Sequence, residues 1–151
     1  MRFLNSMLIG LLTLAALSAP ALSQTSQLDS YGPPDPSQEL PLDGEALRAI
    51  FMDRIHRGYY EVGDWDDTPP AFTEQMKSDG GAIHERGGVI SKGTWRTKNN
   101  VVCFTYEDLN GGCFNIYQRG TCYYAMSAFS DELVAITVLD GEIPDCEPSY
   151  A

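Results

Sequence analysis

Four regimes of hydrophobic and polar spacing follow one another along the chain. Met7 to Leu17 is almost wholly apolar, but Thr13, Ser18 and Pro20 interrupt it, and a spanning helix needs about 20 apolar residues. The stretch 24–41 (QTSQLDSYGPPDPSQELP) is polar and carries Pro33, Pro34, Pro36 and Pro41. It can bury too little apolar surface to offset its ordering entropy, so a flexible or partly extended leader outside the core is expected. Leu47, Ile50, Phe51 and Ile55 then recur at helical spacing. They predict one amphipathic helix, capped by Asp43, with Glu45 in its first turn and Gly58 to end it. Such a helix is marginal alone and must cover something.

The fourth regime, from Gly58 onward, consists of short runs rich in β-branched and aromatic residues, separated by turn signals. The runs are Phe72 to Met76, Ala82 to Glu85, Val89 to Thr97, Val101 to Tyr106, Cys113 to Tyr117, Cys122 to Ala128 and Leu133 to Leu139. This spacing is the all-β pattern, and short connections favour sequential antiparallel pairing. The fold class expected is mainly β: an antiparallel meander of about seven or eight strands with one N-terminal α-helix. The pattern leaves open whether the meander closes, wholly or partly, into a barrel.

The hairpin from Val101 to Tyr117 is the most constrained piece. Val102, Phe104 and Tyr106 share one face of its first strand and Cys103 lies on the other. Phe114 and Ile116 share a face of the second strand, with Cys113 opposite. Any register that joins the apolar faces puts both cysteines on a common face. The chain's four cysteines (Cys103, Cys113, Cys122 and Cys146) allow three pairings in an oxidising compartment. Cys103 opposite Cys113 is the favoured one, which leaves Cys122 with Cys146. No C-x-x-C spacing supports zinc.

The first 23 residues fit a secretory signal peptide: Arg2 as the basic region, the apolar run, then Ala19, Pro20, Ala21, Leu22 and Ser23 as small-residue cleavage region. Cleavage is expected after Ser23, with Ala21 the alternative, and no cysteine stands there for a lipid anchor. The chain then divides into signal peptide 1–23, leader 24–41 and one disulfide-stapled β-domain 42–151, periplasmic or secreted. Loss of Arg2 takes the net charge from −11 to −12. That charge repels nucleic acid and anionic lipid and favours a cationic partner; no membrane insertion is expected after cleavage.

The segments LDGEALRAIF, KSDGG, GTW (Gly93 to Trp95), CFTY (Cys103 to Tyr106) and CFNIY (Cys113 to Tyr117) stand in that order. Together, over Leu42 to about Val138, they resemble a family of small exported bacterial proteins classed as a domain of unknown function. The resemblance implies an envelope location and a lipocalin-like β-fold, with one cysteine pair matched here by Cys103 and Cys113. It implies no substrate and no catalytic residue; Cys122 and Cys146 are additions to its pattern.

Candidate chemistry is sparse. Glu61, Asp64, Asp66 and Asp67 around Trp65 are the densest oxygen ligands, but they lack the spacing of a calcium loop and read as a solvated acidic loop. Of the two histidines, His56 falls near the expected helix end, and His84 lies in a strand beside Glu85. No serine sits in a nucleophile elbow. Tyr60, Trp95, Tyr106, Tyr117 and Tyr124 are the candidate ligand-groove residues, since a ring with a polar tip both packs and orients. No catalytic residue, metal or cofactor is assigned. The expected function is a non-enzymatic envelope module for a small ligand or protein partner. Two alternatives are an acidic inhibitor of a cationic hydrolase such as lysozyme, and a hydrolase using His84 with a carboxylate.

Overall fold

The computed structural model describes residues 33–60 and 71–146. The signal segment, the leader up to residue 32 and the acidic cluster Glu61, Asp64, Asp66 and Asp67 lie outside the described residues.

Helix α1 (Gly44–Phe51) starts where Asp43 accepts hydrogen bonds from the Glu45 and Ala46 amides, at 3.0 and 2.8 Å. The Asn100 side chain accepts from the Gly44 amide. These acceptors satisfy donors that the first turn leaves orphaned. The helix ends at Phe51, seven residues before Gly58, where the spacing of apolar residues had pointed. Met52 is extended, Asp53 turns back at a φ of 55°, and its Oδ1 accepts from the Ser78 amide at 2.7 Å. That long-range anchor outweighs the helical spacing of Ile55, which lies instead on a strand and is partly exposed.

Eight strands follow: β1 (Arg54–Tyr60), β2 (Ala71–Met76), β3 (Gly81–Arg86), β4 (Val89–Lys98), β5 (Val101–Tyr106), β6 (Gly112–Arg119), β7 (Cys122–Ser127) and β8 (Leu133–Leu139). Each pairs antiparallel with the next, and β1 pairs with β8, so the meander is a closed barrel. Gly58, expected to end a helix, permits that closure. A Cβ there would lie 2.4 Å from the Ile136 carbonyl oxygen on β8, a separation only glycine avoids.

The helix seals one end of the barrel. Leu47 and Phe51 pack with Met76, Ala82, Trp95, Val102, Ile116 and Tyr123 in one cluster. Leu47 and Met76 are 0% exposed, and each such burial contributes about 1.5–3 kcal/mol. The Trp95 indole N–H donates to the Lys77 carbonyl, tying β4 to the β2–β3 turn. A second cluster lies on the outer face of β6 to β8, where Tyr117, Tyr124, Met126, Ile136 and Val138 gather with Cys146.

Two disulfides staple the barrel, Cys103–Cys113 and Cys122–Cys146. The first joins directly opposed residues in the β5–β6 ladder, which has only three residue pairs and is the shortest in the barrel. The second holds the C-terminal segment, where Thr121 N–H also donates to the Asp145 carbonyl at 2.8 Å. Such bonds belong to an oxidising, extracytoplasmic environment. The described end of the leader and the first residue of the domain are tied to the barrel. The Leu42 amide donates to the Ile116 carbonyl, and Glu39 pairs with Arg119.

Candidate ligand cavity

Strand alternation sends His56 and Tyr60 of β1, Phe72 and Glu74 of β2, His84 of β3, Phe104 and Tyr106 of β5 and Phe114 of β6 to the barrel interior. Their side chains do not fill it. A cavity of about 390 Å³ runs from Phe51 and His56 above the helix to Leu109 and Phe129 at the other end.

A carboxylate stands in its wall. Glu74 and His84 are direct partners in the β2–β3 ladder, and His84 Nδ1 lies 2.9 Å from Glu74 Oε2. Against that acceptor Nδ1 carries the hydrogen. The Tyr106 hydroxyl donates to Glu74 Oε1. Glu74 and His84 are both buried, so these two bonds offset the cost of placing the carboxylate inside. Rings enclose the group: Phe72 stacks on Tyr60 at 4.5 Å and lies 5.2 Å from His84. Burial, and then the charge of Glu74, push the Tyr60 hydroxyl up to about 12 while Arg86 partly offsets them. Burial and Glu74 also drive Tyr106 far above the ordinary phenol range. Both phenols therefore stay protonated at neutral pH and serve as walls and hydrogen-bonding groups.

His56 closes the base of the cavity. Its ring stacks on Phe51 at 4.6 Å. Nε2 donates to the Ile50 carbonyl at 2.9 Å, and Nδ1 accepts from the Thr137 hydroxyl at 3.0 Å. The carbonyl can only accept, which assigns the tautomer. Burial holds the imidazole down at about 4, so it is neutral at physiological pH.

Of the groove residues expected from the sequence, Tyr60 and Tyr106 line the cavity. Trp95 sits in the core at the helix end, and Tyr117 and Tyr124 face each other on the outside of β6 and β7. Glu85, the carboxylate next to His84, is exposed; the partner is Glu74 across the hairpin. Sequence reasoning missed Glu74, although a signal was present. It occupies the inward position between Phe72 and Met76 of an alternating strand, where a polar residue needs a partner.

A wider depression of about 720 Å³ lies outside the barrel near Arg57, Tyr59, Pro144 and Cys146. None of the buried polar residues lines it. Among the described residues no group of three His, Cys, Asp or Glu side chains is placed to hold a metal ion. In comparison with known proteins the chain matches no family model, no curated protein and no solved structure.

Proposed function

We propose that this chain is an exported, non-enzymatic binding module that holds a small, largely apolar ligand inside its barrel. The observation that carries the reading is the 390 Å³ aromatic cavity with one hydrogen-bonded carboxylate in its wall. Small-molecule sites combine an apolar enclosure with a few placed polar groups in this way. The signal-like first 23 residues support delivery to the periplasm or beyond. His84 supports Glu74 without itself lining the cavity, which favours an orienting role over acid–base chemistry on a bound molecule.

The test uses the full mature chain and the uncharged dye N-phenylnaphthylamine, whose emission rises in apolar surroundings. Saturable binding at one dye per chain is expected. Ala125→Trp adds a large ring to the cavity wall and should abolish the binding while circular dichroism stays unchanged. No saturable signal from the wild-type chain would end this reading, as would equal signals from a folded Ala125→Trp variant.

A further inference from the structure

We infer that the ligand joins an apolar body to a protonated amine, and that Glu74 and the rings around it receive the ammonium group. The inference rests on the cavity being a ligand site and adds the class of molecule.

Among the described residues that line the cavity, Glu74 is the only Asp or Glu, and none is Lys or Arg. Arg86 has its guanidinium 5.5 Å from the Tyr60 ring centre and is not part of the lining. A carboxylate offers about four acceptor positions, and Glu74 uses two, for His84 and Tyr106. The remaining capacity can only accept, so it suits a donor on the ligand.

A ligand carboxylate would bring a second negative charge toward Glu74, and the nearby Arg86 guanidinium lies over the Tyr60 ring outside the described lining, so that approach is costly in a low-dielectric interior. An ammonium group meets an anion and gives up part of its hydration to ring faces. Tyr60, Phe72, Phe104 and Tyr106 all line the cavity. The negative potential of such faces attracts cations, and the chain's net charge of −11 draws a cation in from solution.

Three ligands of equal length separate the possibilities: decylamine, decanol and decanoate, each competing with N-phenylnaphthylamine at pH 7. Decylamine should bind at least about tenfold tighter than decanol, the margin of one hydrogen bond to a charged group, and decanoate should bind weakest. Glu74→Gln should bring decylamine and decanol to within about twofold of each other, read as the ratio of the two affinities within that variant. Any wild-type ranking in which decylamine is not first overturns this inference and leaves the cavity reading standing, because the dye still binds. Absence of dye binding overturns both. The wild-type ranking decides the matter even if the variant fails to fold.

Discussion

Acidifying the protein should weaken it through His56 before most carboxylates titrate. The ring is 1% exposed, stacked on Phe51 and bonded on both nitrogens in its neutral form. Burial lowers its pKa from 6.5 to about 4. The unfolded chain therefore takes up this proton first as the pH falls. The stabilisation is complete above pH 6.5, declines by about 1.4 kcal/mol per pH unit below it, and is exhausted near pH 4, for a total of about 3 kcal/mol. Against a typical domain stability of about 5–15 kcal/mol this is a large fraction. Urea unfolding between pH 7.5 and 4, for wild type and for His56→Gln, isolates the effect, since the amide can still hydrogen-bond but does not titrate. The stability difference between the two proteins should shrink by about 3 kcal/mol over that range, because only wild type loses this contribution. NMR titration should find the His56 imidazole neutral down to about pH 4. A parallel pH dependence in both proteins, or a His56 midpoint near 6.5, would refute the reasoning.

Three further changes test the scaffold. Replacing Cys103 and Cys113 together by alanine opens a loop of sequence separation 10, and replacing Cys122 and Cys146 opens one of 24; each pair should cost about 3 kcal/mol in chemical denaturation, the second slightly more. Gly93→Ala should cost about 3 kcal/mol or more in the same assay, since the added Cβ would meet the Thr105 carbonyl oxygen at 2.1 Å and the Tyr106 ring at 2.6 Å. A Gly93→Ala protein as stable as wild type would show that β4 and β5 can separate locally without cost.

Most of the strands were legible because alternation is a local property. Val101–Tyr106 and Leu133–Leu139 fall where the hydrophobic runs lie, and the other predicted runs agree to within a few residues. Keeping Phe104 and Phe114 on the inner face puts Cys103 and Cys113 on a common face, and the structure pairs them directly, the favoured register of those that do so. Strand β1 was hidden because Ile55 continues the helical spacing of Leu47 and Phe51; what separates helix from strand is long-range, the Asp53–Ser78 contact 25 residues apart and the ladders to β2 and β8. Closure was equally hidden, since nothing local to Tyr59 announces its partner Ile136. The cavity was half legible. Aromatic content pointed to Tyr60 and Tyr106, but which face Tyr117 and Tyr124 occupy depends on the barrel's outer cluster. Glu74 and His84 are adjacent only once the β2–β3 hairpin has a register.

The pairing of β1 with β8 has a consequence for chains that stop early. In the intact ring every strand has two neighbours, so no row of backbone donors and acceptors is left for another molecule to zip onto. A nonsense or frameshift lesion ahead of Leu133 would delete β8 and bare β1 and β7 at once, including the run of Tyr123 to Met126. Such a fragment would keep most of the hydrophobic residues of the whole protein and gain two sticky margins. It should be recovered as aggregate or as protease fragments rather than as a smaller soluble barrel.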